Sequence, residues 1–175
     1  IAISNKGQLI ITDMHRKKRL VGVYTVDGRC LRQFDPSHTN EDLHTSTPYY
    51  VAVDPFDRIL VSDRDNHCVK VFDERGILLQ RLGSKEPGDD RIVHPRGLCA
   101  DSKGNVMICD SGHNRLSVFG PDGHFMQHLL TAEDALACPR DVALNRQSGR
   151  LVVAQHNSGA DSSFRKIRIY EISKL

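Results

Sequence analysis

One sequence unit recurs four times along this chain, and that recurrence restricts the fold more than any other feature. Its clearest copy runs from Val51-Ala52-Val53-Asp54 through Arg58-Ile59-Leu60-Val61-Ser62-Asp63 and Asn66-His67 to Val69-Lys70-Val71-Phe72 and a turn at Gly76. The next copy has Leu98-Cys99-Ala100-Asp101, then Asn105 to Asp110, His113-Asn114, Leu116 to Phe119 and Gly123. An earlier copy starts at Ile1-Ala2-Ile3-Ser4 and passes Leu9 to Asp13, Leu20 to Tyr24 and Gly28. A later one runs from Val142 to Asn145 through Leu151 to Gln155 and Ile167 to Tyr170. Asp13, Asp63, Asp110 and Gln155 hold the same place in each copy, about 45–50 residues apart, so a single unit tiles the chain.

Each unit contains three or four short runs rich in Val, Ile and Leu, separated by Gly, Asp and Asn turns. That pattern belongs to consecutive antiparallel strands, not to helices. Runs such as Ile59 to Val61 are continuously apolar, as strands buried on both faces should be. Val69-Lys70-Val71-Phe72 alternates, which predicts an outer, solvent-facing strand. A helical period is absent, apart from one turn allowed at Glu133 to Ala137. A four-stranded unit of this length has the size of a β-propeller blade. The predicted fold is therefore all-β: about four four-stranded blades at 1–34, 48–83, 95–130 and 139–175, in one domain.

Composition agrees with a folded domain. The chain has 175 residues, a net charge of +2 and 39% hydrophobic residues, too apolar and too weakly charged for disorder. Its longest apolar runs are strand-sized, so no membrane span and no leader sequence is expected. Mixed charge signs announce neither a nucleic-acid nor a membrane partner. The five cysteines, Cys30, Cys68, Cys99, Cys109 and Cys138, are odd in number and form no C-x-x-C pair. Reduced thiols in a cytoplasmic protein fit them better than a disulfide framework or a structural zinc site. The start at Ile1, without an initiator Met, points to a mature fragment or an excised piece.

The pattern Pro-x-x-hydrophobic-Ala-x-Asp, a Gly turn, an Asp ending the second run, Asn-His, then Val-x-Val-Phe-Asp-x-x-Gly resembles the NHL repeat. Pro48 to Gly83 matches it best and Pro95 to Leu130 follows closely. The first copy is two residues longer between Asp13 and Tyr24; the fourth is six longer and has Gln155 in place of Asp. The resemblance implies a ring of about six blades, of which this chain would be the C-terminal two-thirds. Its last blade would borrow an outer strand from residues ahead of Ile1. Two apolar blade faces would then stand open, leaving the piece unstable alone and its edges prone to association.

Antiparallel order puts the links between second and third strands on the same side as the links between blades. Tyr49, Arg96 and Arg140 take equivalent places on that rim, each following Pro48, Pro95 or Pro139, and such residues favour protein interfaces and base stacking. The basic run His15-Arg16-Lys17-Lys18-Arg19 and the turn residues His67, His113 and Arg115 complete the candidate partner-binding set. Each has a plainer reading, as a residue covering its own turn or a solvated loop. Asp13, Asp63 and Asp110 invite a metal or catalytic reading, but carboxylates here more simply accept N–H groups of the turn that follows. Recurrence at every blade favours scaffold duty for them and for Asn66-His67 and His113-Asn114.

Three functional classes follow. The resemblance extends to tripartite-motif RING ubiquitin ligases with C-terminal NHL propellers, which implies a non-catalytic module choosing a protein partner or ubiquitination substrate. Zinc would be needed only by RING and B-box segments, and oligomerisation would come from a coiled coil; none of these lies within this sequence. The alternative is RNA binding in post-transcriptional regulation, although on the loop side Asp and Glu slightly outnumber Lys and Arg, and affinity for RNA comes mainly from neutralised phosphates. The third class is a propeller lyase or lactonase with a metal on the axis. His94 is its best-placed candidate, but its counterparts are Thr47 and Cys138, so no symmetric ligand set and no catalytic residue emerges. No cofactor is expected in this chain.

Overall fold

Fifteen strands form four antiparallel sheets in the computed structural model, which describes residues 1–13, 19–37, 46–84, 86–145, 147–156 and 165–171. The first sheet comprises β1 (Ala2–Ile3), β2 (Leu9–Asp13), β3 (Leu20–Tyr24) and β4 (Cys30–Phe34). The second comprises β5 (Pro48–Val53), β6 (Ile59–Asp63), β7 (Cys68–Phe72) and β8 (Leu78–Leu82). The third holds β9 (Pro95–Ala100), β10 (Val106–Asp110), β11 (Arg115–Phe119) and β12 (Phe125–Leu130). The fourth holds β13 (Pro139–Asn145), β14 (Arg150–His156) and β15 (Arg165–Glu171). Strand order within each sheet follows the sequence. A single 3-10 turn at Ala132–Asp134, capped by Thr131, sits where one helical turn was allowed.

The sheets stack face to face as blades, and their first strands line a hub: β9 lies between β5 and β13, and β1 and β2 lie beside β5. Three hydrophobic cores fill the gaps. Ile10, Val21 and Val23 meet Val51, Ile59, Val61 and Phe72 between the first two blades. Leu60, Val71 and Leu82 meet Leu98, Val106, Ile108 and Phe119 in the second gap. Met107, Cys109, Leu116 and Val118 meet Val142, Leu151 and Val153 in the third. Successive side chains of a strand point to opposite faces. Ile59 and Val61 therefore enter one core while Leu60 enters the next, which is why β6 and β10 read as unbroken apolar runs. Each such side chain, fully buried, is worth about 1.5–3 kcal/mol.

The expectation that Val69 to Phe72 forms a solvent-facing strand is corrected by the structure. Every residue of β7 is buried, Lys70 included. The third strands of the two inner blades, β7 and β11, are covered on both sides by neighbouring blades; the outer edges of the first three blades are β4, β8 and β12, where Leu31, Leu79 and Met126 are exposed. The Lys70 ammonium is held by the Asp63 carboxylate at 2.9 Å, the Pro36 carbonyl at 2.8 Å and the Ser46 hydroxyl at 3.3 Å. Burial of a charge requires such a set of partners.

At the two ends the blades have no neighbour among the described residues. Ile3 on the first blade and Ile167 and Ile169 on the fourth face outward and are 67%, 73% and 65% exposed.

Candidate recognition site

Asp63 and Asp110 end the second strands of their blades, fully buried, and their bonds explain how one blade is joined to its connector. Asp63 Oδ1 accepts the Thr47 N–H at 2.9 Å, and Asp110 Oδ1 accepts the Val93 N–H at 2.9 Å. The donors lie in the link preceding each blade, not in the turn that follows, which corrects the expectation from sequence. The turn supplies side chains instead: Asn66 Nδ2 donates to Asp63 Oδ2 at 3.0 Å, and His113 Nδ1 lies 2.8 Å from Asp110 Oδ2. Gln155 does the same with a neutral amide, its Oε1 accepting the Ala137 N–H at 3.4 Å. Burial alone would push the Asp63 carboxyl up; bonds from Ser46, Thr47, Asn66 and Lys70 outweigh it and hold it below its ordinary value.

The Asn-His pair has a further duty. His67 and Asn114 occupy the same turn position with φ of 55° and 54°. Each accepts an N–H from the next blade: His94 N–H to His67 Nδ1 at 3.1 Å, and Cys138 N–H to Asn114 Oδ1 at 2.7 Å. His94 and Cys138 are themselves left-handed, at 50° and 41°, immediately before a proline. Such backbone costs about 1–2 kcal/mol per residue, and the inter-blade bond offsets it. His67 must stay neutral to accept, and burial, reinforced by His94 and Arg91, lowers its pKa.

Several residues expected at a partner surface are thus bound internally. Arg19 reaches the Ser46 carbonyl and the Thr47 hydroxyl. Arg115 bonds Asp110, His128 and the carbonyls of Asp89 and Arg91. His67 and His113 are placed as described above, and Arg16, Lys17 and Lys18 lie outside the described residues.

Tyr49, Arg96 and Arg140 are arranged differently. Between Pro48 and Tyr50 the strand advances two residues while β6 advances one, leaving Tyr49 extra; Arg140 is extra in the same way between Pro139 and Asp141. In β9 the irregularity falls between Pro95 and Leu98, the stretch that contains Arg96. A bulge re-aims the side chain it carries. Here it brings residues of three successive blades to one cavity of about 490 Å³ at the mouth of the hub, completed by Tyr50 and by Ala154, Gln155, His156, Lys166 and Ile167 of the fourth blade. Gln155, His156 and Lys166 belong to the link that antiparallel order places on this side, but the sequence did not single them out, because the β14–β15 hairpin departs from the repeat.

Within the cavity the Arg96 guanidinium lies over the Tyr49 ring, 5.2 Å from its centroid, and Tyr50 tilts against Tyr49 at 5.4 Å. Arg96 Nε is buried without a partner, and the side chains of Arg140, His156 and Lys166 have none among the described residues. Gly97 lets the third blade close on the fourth: a Cβ there would lie 2.1 Å from Asp141 Oδ1 and 2.5 Å from its Cα. Desolvation raises the Asp141 carboxyl, and it raises the Tyr50 phenol, with Asp141 adding to the latter. Burial pushes the Cys109 thiol well up, so it stays an unreactive core residue. Among the described residues no group of three His, Cys, Asp or Glu side chains is placed to hold a metal.

Comparison with known proteins fits this architecture. A model of the NHL repeat matches residues 50–72 and 93–119, the segments that hold β6, β7, β10 and β11. The chain's second and third blades carry NHL repeats. Its NHL blades resemble the C-terminal region of tripartite-motif proteins that carry this repeat. The chain is 29% identical over 128 residues, 73% of its length, to the B-box type zinc finger protein ncl-1 of Caenorhabditis elegans. It is 30% identical over 110 residues, 62% of its length, to the protein brain tumor of Drosophila melanogaster. To the rat E3 ubiquitin-protein ligase TRIM71 it is 28% identical over 101 residues, 57% of its length. The matched region spans 14%, 10% and 11% of those three proteins. In fold it is similar to hydrazine synthase of Kuenenia stuttgartiensis, with a TM-score of 0.71 and 16% identity over 98% of this chain and 45% of that one. Virginiamycin B lyase of Staphylococcus aureus gives 0.64 and 13%, over 99% and 55%. The four sheets are blades of a β-propeller.

Proposed function

We propose that these blades form a non-catalytic module that recognises a protein partner at the mouth of the hub, as the partner- or substrate-choosing end of a larger tripartite-motif ubiquitin ligase. One observation carries the reading: three bulge residues from three blades, Tyr49, Arg96 and Arg140, meet around a single cavity and are not consumed by the scaffold. Tyrosine and arginine at the centre of a concave patch are the residue types that dominate interface energetics. Arg19, His67, His113 and Arg115, by contrast, are bound internally.

Replacing Tyr49, Arg96 and Arg140 with Ala in the full-length protein is expected to weaken partner capture at least about tenfold, the effect of one hot-spot contact. The melting temperature should stay nearly unchanged. Capture at wild-type strength would remove the site.

The alternative, RNA binding, draws on the same cavity, where three cations stand beside two tyrosines. Filter binding across a salt series tests it, since each neutralised phosphate steepens the decline of affinity with salt. A flat response excludes it. No described helix is long and apolar enough to cross a membrane, and the module is proposed to act in the cytoplasm.

A further inference from the structure

The charges of the hub-mouth cavity are unbalanced. Arg96, Arg140 and Lys166 line it, and none forms an ion pair among the described residues; Asp141, which follows Arg140, accepts the N–H of Val142. The cation–π contact with Tyr49 uses none of the Arg96 N–H donors, and its Nε is buried without a partner. The Tyr49 ring, in turn, is covered by Arg96 on one side and flanked by Tyr50. A nucleobase would need an open aromatic face and a groove that follows several nucleotides. One face of Tyr49 is already taken by Arg96, and the cavity is a recess of about 490 Å³ rather than an extended groove. Ala154 and Ile167, on the open face of the fourth blade, give it an apolar side.

Resting on the reading of this site as a protein-recognition surface, we infer that the cavity receives a carboxylate-bearing segment of the partner. Arg96 and Arg140 take carboxylate oxygens through guanidinium N–H groups, the geometry in which such bonds are strongest. Lys166 adds a third positive charge. Ala154 and Ile167 cover the methylenes of the incoming acidic side chains.

The test is fluorescence anisotropy on the full chain with three labelled probes: a Glu/Gly peptide, its Gln/Gly counterpart and an oligouridylate. The Glu/Gly peptide is expected to bind with an affinity that falls as salt rises, and the Gln/Gly peptide to bind at least about tenfold more weakly. Arg140→Gln and Lys166→Gln should each weaken the Glu/Gly peptide about tenfold, and Ile167→Glu should weaken it by repulsion. Lys166 and Ile167 are exposed, so these variants keep the fold. Equal binding of both peptides, still sensitive to Ile167→Glu, overturns the carboxylate role and leaves protein recognition standing. Binding of neither peptide overturns the inference. Preference for oligouridylate, lost in the same variants, overturns both the inference and the protein reading.

Discussion

Two sets of residues recur once per blade at the same end of the sheets, and the structure uses them in opposite ways. Asp63, Asp110 and Gln155 are buried and fully engaged, each taking an N–H from the connector before its blade. Tyr49, Arg96 and Arg140 stand at the bulges of the first strands and are left to face the hub. Residue type follows use. The junction position tolerates Asp or Gln because both offer the same acceptor, whereas the bulge position holds Tyr or Arg, whose chemistry is unrelated. Position in the repeat therefore fixes geometry, and only the bonding partners reveal whether a recurring residue holds the blades together or is left for a ligand.

The comparison breaks most sharply at Asp63. Asp63→Ala leaves the Lys70 ammonium buried without its anion and is expected to cost about 3–5 kcal/mol in a denaturant melt. Asp63→Ala combined with Lys70→Met should recover much of that loss, because no lone charge remains. Asp110→Ala leaves Arg115 its other acceptors and should cost about 1–3 kcal/mol. Equal losses at Asp63 and Asp110 would show that the buried lysine is not what separates the two junctions.

Gly97→Ala tests the approach of the blades at the cavity. It should cost about 1–3 kcal/mol through overpacking. Adding Asp141→Ala should not rescue it, since the Asp141 Cα remains in the way.

Acidity separates the junctions from the rim more gently. The folded Asp63 carboxyl titrates below its ordinary value, so its contribution is complete above a pH of about 4 and is lost as pH falls through the folded pKa. His67 is also lowered. The unfolded chain takes up that proton first, so stability declines as pH drops below about 6.5 toward the folded value. His67→Gln should flatten this part of a plot of melting temperature against pH, and an unaltered slope would place the titration elsewhere. Smallest of all should be Arg140→Ala and Lys166→Ala, each within about 0.5 kcal/mol of wild type. A larger loss would mean that the rim, too, belongs to the scaffold.

The blades were legible in the sequence because a unit of short apolar runs separated by Gly, Asp and Asn turns, repeated four times, leaves few alternatives. Lys70 was misread because one lysine between valines looks solvent-facing in isolation; its partner Pro36 lies in the preceding blade's connector. The acceptor role of Asp63 and Asp110 was legible, but their donors were not, since Thr47 and Val93 precede them by a whole hairpin. The pairing of His67 with His94 and of Asn114 with Cys138 crosses between blades and leaves no local mark. Tyr49, Arg96 and Arg140 could be aligned from the prolines before them. That they converge with Lys166 and Ile167 could not, because the fourth unit breaks the spacing.

Strands such as β6 and β10, whose neighbouring side chains enter different cores, also have a mechanical consequence. Each works like a voussoir in a masonry arch, wedged from both flanks, so no blade can loosen without slackening the seams on either side. Heating should therefore bring the stack down in one concerted collapse, and a partner gripping three wedges at their shared crown would brace every joint between them at once.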